Sequence, residues 1–354
     1  MTKIAAGWAA CYGTLALIWT AIGRGFPFGP GDPGRTGSPL RDLDPAVGAP
    51  VFAATLLLAA VALVIMSGWD RPRRPVRAAL LGYLWLVVAG LLVVVPDVRL
   101  LTVAGYLPIL IIGFPFGYPP VDYSEVFTWT LANQAFAVLG GLLLARAAVR
   151  WQFRTAGACE GCGRGDRDRG WTAPRAAARW GRWATYVAAA VPLFYAVIRL
   201  AWAVGIPLGV SSSFLAEARD TGLVWAAAGL GGFALAGSIL TLGLVQRWGE
   251  VFPRWMIGLA GRRVPIRLAT VPATLVAIFV MSASVGFATD LDRLTGLAGD
   301  GSLATLPIAT WPLWSLALGA ATLAYHLRRR PVCPACGRGE SPAGVVREVK
   351  AGAY

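Results

Sequence analysis

Apolar residues run through this chain in long blocks, and short polar segments between them hold most of the charge. Eight blocks approach the roughly 20 residues that a bilayer-spanning helix needs. They lie near 4–23, 50–67, 77–95, 127–149, 184–204, 222–244, 266–288 and 306–327, with the second the shortest. A further run, 103–114, is bounded and broken by Pro108 and Pro115. It reads as an interfacial or re-entrant piece and not as a ninth span.

Composition supports the membrane class. Hydrophobic residues make up 56% of the 354 and charged residues 14%, against about 25% charged in a soluble domain. Mean hydropathy is +0.61. The net charge of +14 would suggest nucleic acid in a soluble protein. Its placement argues otherwise. With the first segment inside, 25 of the 32 basic residues fall on one side and six on the other, while the acidic residues lean the opposite way. Positive charge beside spans faces the cytoplasm. The expectation is a multi-pass protein of the cell inner (plasma) membrane, with N- and C-termini cytoplasmic, membrane lipids as partners and no nucleic acid. Ala9-Ala10-Cys11 faintly resembles a lipoprotein cleavage site, but the apolar run continues through Ile22, so Cys11 reads as a small buried residue of the first helix.

The two halves share landmarks. Gly25-Phe26-Pro27-Phe28-Gly29 closes the first block and Gly205-Ile206-Pro207-Leu208-Gly209 the fifth. Basic turns at Arg73–Arg77 and Arg262–Arg267 also correspond. Four spans per half give both copies one orientation, so the expected fold is all-α: a polytopic membrane bundle of eight transmembrane helices in two parallel four-helix repeats. The expected division is a first repeat over 1–154, a cytoplasmic linker over 155–180, a second repeat over 181–330 and a tail over 331–354. The glycine–proline pattern occurs a third time at 113–117, where a helix stop in the headgroup region is the simplest reading.

Each half ends in an eight-residue motif, C-x-x-C-G-R-G followed by an acid. One runs from Cys159 to Asp166 and the other from Cys333 to Glu340. Cys159, Cys162, Cys333 and Cys336 form the set that a closed tetrahedral zinc site takes. A glycine after the second cysteine leaves room for the tight turn in which backbone N–H groups face sulfur. Structural zinc is the first expectation and iron, which takes the same thiolates, the second. Redox-active C-x-x-C pairs, or sites shared between chains, remain alternatives. A cytosolic location disfavours stable disulfides.

Other chemistry is sparse. His326 is the only histidine, which rules out bis-His haem and a His-rich catalytic metal cluster within one chain. Asn133 and Gln134 lie in the fourth block, and Arg199 and Tyr195 in the fifth. An ionisable residue at membrane depth is by default a functional candidate. These four residues are therefore the candidate ligand-binding set, Arg199 facing an anion, a lipid headgroup or an acidic partner. Snorkelling, or pairing with Glu217, Asp220, Asp122 or Glu125, is the bland reading of Arg199. Interhelical hydrogen bonding is the bland reading of Asn133 and Gln134. Asp290 and Asp292 read as solvated loop charge, and no residue is assigned as catalytic. The stretch from Leu244 to Trp255 mixes Trp, Phe and Arg and suits a headgroup-level segment.

Arg182–Ala188, residues 246–255, and the run from Ala324 to Arg330 leading into Cys333 and Cys336 resemble an uncharacterised polytopic membrane-protein family of high-GC Gram-positive bacteria. The resemblance implies the membrane class and transfers no activity or functional residue. Two functions follow from the sequence. The first is a transporter-like or scaffold and regulatory membrane protein, not an enzyme, whose repeats are joined by a structural four-cysteine metal site and hold any small-molecule or lipid ligand. The alternative is a membrane enzyme acting on a lipid or isoprenoid substrate at the outer face.

Overall fold

The computed structural model describes residues 2–113, 115, 122–165, 170–289 and 309–339. All regular elements among them are helical apart from one isolated bridge pair, Val251 with Arg263. The helices are α1 (Thr2–Ile22), α2 (Pro45–Gly68), α3 (Arg74–Ala89), α4 (Val98–Gly113), α5 (Tyr123–Val126), α6 (Trp129–Thr155), α7 (Pro174–Ala203), α8 (Ser212–Asp220), α9 (Leu223–Leu242), α10 (Ile266–Ala288) and α11 (Trp311–Arg329). A π-helical turn over Gly90–Val94 extends α3.

Among the described residues, seven helices are long and apolar enough to cross a membrane: α1, α2, α3 with its extension, α6, α7, α9 and α10. The eighth expected span, 306–327, differs. Residues 306–308 lie outside the described residues, and α11 opens on Trp311-Pro312 and closes on Tyr325-His326 and arginines, which dilutes its apolar stretch. α4 runs through position 108 as a helix, yet its 16 residues reach only about 24 Å at 1.5 Å per residue. The expected linker 155–180 is shortened, because α7 already begins at Pro174, where proline at the first turn gives up no intrahelical bond.

Helix starts follow capping chemistry. Asp44 accepts from the Ala46 amide ahead of α2, Thr128 from the Leu131 amide ahead of α6, and Ser211 from the Phe214 amide ahead of α8.

Packing divides the described residues into two units. The first takes those of Met1–Arg167 with Val285–Thr289 and Cys333–Arg338. The second takes those of Asp168–Ser284, Asp290–Val332 and Gly339–Tyr354.

In the first unit α1 packs on α2 and α6, and α3 on α6. α1 presents a stripe of small residues, Ala5, Ala9, Gly13 and Ala16, all buried. Small residues let helix backbones approach closely where lipid removes the hydrophobic drive. Gly140 on α6 has the same use: a Cβ there would sit 2.0 Å from the Trp8 ring. In the second unit α7 packs on α9 and α11. There Gly181 meets Ala324, whose Cβ would lie 2.3 Å from an added Cβ. Large apolar side chains such as Leu86, Val64, Trp225 and Leu240 point outward, as lipid-facing positions do.

Both described copies of the glycine–proline pattern use the left-handed region. Gly25 and Gly29 have φ of 95° and 92°, and Gly205 and Gly209 have 95° and 75°. Only glycine takes such angles freely. The third copy, 113–117, falls largely outside the described residues.

Candidate metal centre and buried polar clusters

The C-terminal end of α6 delivers the first cysteine pair. Gly157, with φ of 71°, ends the helix. Its amide bonds the Arg154 carbonyl at 3.1 Å, and the Ala158 amide bonds the Phe153 carbonyl at 2.9 Å. This is the Schellman arrangement, in which a left-handed residue satisfies the last free carbonyls. The chain then enters Cys159 at once. Arg154 reaches back to the Met66 carbonyl at 2.6 Å, and Arg77 Nε to Thr155 Oγ1 at 2.8 Å, so the α2–α3 turn steadies the end of α6.

The two knuckles have one backbone design. The Gly163 amide bonds the Cys159 carbonyl (2.7 Å) and the Cys159 amide bonds the Arg164 carbonyl (3.0 Å). The Gly337 amide bonds the Cys333 carbonyl (2.8 Å) and the Cys333 amide bonds the Arg338 carbonyl (3.0 Å). Gly163 and Gly337 take φ of 71° and 67°, which explains the glycine after each second cysteine.

The knuckles also face each other reciprocally. Cys159 Sγ lies 3.9 Å from Cys333 Sγ, and Cys162 Sγ lies 3.7 Å from Cys336 Sγ. Arg164 Nη1 donates to the Arg338 carbonyl at 2.8 Å, and Arg338 Nη1 donates to the Arg164 carbonyl at 3.2 Å. Exchange of equivalent contacts is the mark of a local two-fold.

All four Sγ atoms lie within 4.8 Å of one another. A tetrahedron with Zn–S bonds of about 2.3 Å has S···S edges of about 3.8 Å. The cluster therefore has the size and donor set of a closed tetrathiolate centre. Its electrostatics point the same way. Amides of Cys162 and Gly161 hold the Cys159 thiol below its usual value. Amides of Ala335 and Cys336 hold the Cys333 thiol down to about 7. Burial pushes Cys162 up to about 11. Two sulfurs thus sit in N–H cradles suited to thiolate. A tetrathiolate with a divalent ion carries a net charge of −2, and Arg164, buried to 6% exposure, places a cation in the knuckle that bears it.

Asp166 and Glu340, the acids that close the two motifs, lie outside the described residues, as do Asp290 and Asp292. His326 is exposed in the last turn of α11. Cys11 lies in α1 as expected but is exposed and not buried, because it falls on the face away from the Ala5, Ala9, Gly13 and Ala16 stripe.

Of the polar candidates, Asn133 and Gln134 lie in the first unit, and Arg199 and Tyr195 in the second. Asn133 accepts from the Tyr12 hydroxyl at 3.0 Å and donates to the Trp129 carbonyl at 2.8 Å, joining α1 to α6. Gln134, fully buried, donates to Asp97 Oδ2 at 2.7 Å, while its Oε1 has no partner among the described residues. Arg199 stacks on its own helix face: its guanidinium carbon lies 5.0 Å from the Tyr195 ring centre and 4.2 Å from that of Trp202. Among the described residues of its own unit it makes no ion pair with Glu217 or Asp220, two of the acids that the sequence offered.

Asp97, Arg99 and Asp32 make up a cluster that sequence reasoning passed over. Arg99 binds Asp97 at 2.5 Å and Asp32 at 2.6 Å, and the two carboxylate side chains are 0% and 2% exposed. Burial opposes the arginine's charge, but hydrogen bonds to Asp97 and Asp32 hold its pKa above the usual value. The Arg99 and Gly34 amides complete the set at 2.9 and 3.1 Å. A cleft of about 400 Å³ opens beside it, lined by Asp32, Arg99, Thr102, Glu125 and Thr128 among others. The only signal in the sequence was an Asp-x-Arg step directly after the third apolar block, which reads equally well as loop charge.

Compared with family profiles, curated proteins and solved structures, the chain matches none. The family resemblance read from the 182–188, 246–255 and 324–336 stretches is thus supported by no family model or relative, and what stands is a polytopic helical membrane protein.

Proposed function

We propose that this chain is a non-enzymatic integral membrane protein of scaffold or regulatory type. A structural zinc ion on Cys159, Cys162, Cys333 and Cys336 would fasten its C-terminal knuckle to the end of α6. One observation carries the reading: four thiols from segments 174 residues apart converge within 4.8 Å through two matched knuckles. Such a site contributes on the order of 10 kcal/mol or more to the folded state. Zinc is favoured over iron because nothing else in the site calls for redox chemistry, and the thiols stay reduced if the knuckles face the cytoplasm, as the charge bias suggests.

The same reading takes the chain as two parallel repeats of four helices with α11 as the eighth span. Support comes from parallel neighbour relations: α1 packs on α2 and α6 as α7 packs on α9 and α11. The paired glycine angles and the reciprocal arginine bonds support it too. A ligand-handling or transport variant draws on the cleft beside Asp32 and Arg99. Arg199, Tyr195, Asn133 and Gln134 remain candidates for contact with a small molecule or lipid.

Elemental analysis of the purified full chain tests the metal. One zinc per chain is expected, falling to background in Cys159→Ser/Cys336→Ser. Iron in place of zinc would change the metal's identity. No bound metal, or a metal content that the double variant leaves unaltered, would remove the shared site.

A further inference from the structure

The turn between α9 and α10 is long, and it is built rather than loose. The Phe252 amide bonds the Arg262 carbonyl and the Gly261 amide bonds the Phe252 carbonyl, both at 3.0 Å. The Val264 amide bonds the Glu250 carbonyl at 2.9 Å. The end of α11 staples the base of this loop. Tyr325 donates to the Gly249 carbonyl at 2.7 Å, Arg328 to Glu250 Oε1 at 3.0 Å and to the Leu244 carbonyl at 2.7 Å, and Arg329 to the Val264 carbonyl at 3.0 Å.

On this fixed base the tip presents what a soluble surface avoids. Ile257 is 99% exposed and Trp255 78%, with Leu259 beside them. Arg254, Arg262, Arg263 and Arg267 surround the tip and are all exposed. No acidic residue stands between Glu250 and Asp290, and Glu250 is occupied by Arg328. Both ends of the loop belong to candidate spans. The loop therefore emerges at a membrane surface, where aromatic and aliphatic side chains gain by entering the headgroup–acyl boundary. Arginine near an anionic leaflet gains further.

We infer that residues 253–263 form a membrane-surface foot, which seats Trp255 and Ile257 at the acyl boundary and gathers anionic phospholipid headgroups around Arg254, Arg262 and Arg263. The charge complementarity selects an anionic lipid surface over a zwitterionic one. The rigid base means that the foot loses little freedom on docking. The inference rests on the membrane class and is independent of the metal site.

The full metal-bound chain, reconstituted in vesicles, tests it. Trp255 is isolated as the difference in fluorescence between wild type and Trp255→Phe. Quenching of that difference is compared for brominated phosphatidylglycerol and brominated phosphatidylcholine. Phosphatidylglycerol is expected to be enriched around Trp255. The preference should collapse in Arg254→Gln/Arg262→Gln/Arg263→Gln, at up to about fivefold per arginine. Should that variant fold poorly, rising salt on the wild type reports the same loss through screening. Equal quenching by the two lipids would overturn the headgroup assignment. Quenching by aqueous iodide but by neither lipid would overturn the membrane contact and leave the tip as a protein-docking surface.

Discussion

At the scale of single residues the two knuckles are nearly equivalent, and their glycines show where equivalence ends. Gly163 and Gly337 both occupy the left-handed region, which costs a side-chain-bearing residue about 1–2 kcal/mol. Their surroundings differ. A Cβ on Gly163 would lie 2.6 Å from the Phe153 ring, whereas one on Gly337 would meet nothing within 4 Å. Gly337→Ala should therefore cost backbone strain alone, and Gly163→Ala strain plus displacement of the ring at the end of α6. Zinc dissociation into an excess of chelator measures this. Both variants should release metal faster than wild type, with Gly163→Ala the faster by at least about fivefold, since overpacking adds roughly 1–3 kcal/mol. Equal rates would mean that Phe153 moves aside freely.

At the scale of elements, the Asp97–Arg99–Asp32 cluster joins parts that the sequence keeps far apart: the segment before α2, the first turn of α4, and α6 through Gln134. Removing one partner from a buried charged cluster strands the others, at about 3–5 kcal/mol. Arg99→Met should lower the stability of the first unit by that order, measured by unfolding in mixed micelles. Adding Asp32→Asn and Asp97→Asn should recover part of the loss, because amides cost less to bury than carboxylates. A full-sized loss that the triple variant does not relieve would assign Arg99's contribution to packing. The cluster also shows why the site was only half legible. Gln134 stood out as a polar residue in an apolar block. Asp97 and Arg99 sit just past a block boundary, where charge is ordinary, and their pairing with Asp32 depends on how the 23–44 segment folds back. No spacing in the sequence encodes that fold-back. Arg199 shows a different gap between sequence and structure. Its depth drew attention to an anion, but Tyr195 and Trp202, one turn away on either side, already cover the guanidinium.

At the scale of the whole molecule, the helices were legible because runs of some 20 apolar residues have few alternatives, and the convergence of the thiols because a repeated C-x-x-C-G-R motif carries its own geometry. The second span was the weakest reading, yet α2 extends it to Pro45–Gly68; the eighth does not count among the seven candidate spans, since α11 has aromatic and basic ends that composition alone cannot place at a boundary. What the metal does for the chain can be read through protons. Zinc binds thiolate and must displace whatever protons the sulfurs hold. In the metal-free knuckle the ionised Cys333, with its pKa lowered from 9.0 to about 7, stabilises the fold fully above its ordinary value, and that contribution is lost as pH falls through about 7. Above that point Cys333 has no proton to give up, while Cys162, raised to about 11, still has one. Apparent zinc affinity should thus rise with pH throughout, and the slope of its logarithm should be steeper below about pH 7 by about one proton. Competition against a chelating dye from about pH 6 to about pH 8.5 spans both regimes of the thiol titration. A slope that does not change across neutrality would show that the Ala335 and Cys336 amides do not hold the Cys333 sulfur as thiolate.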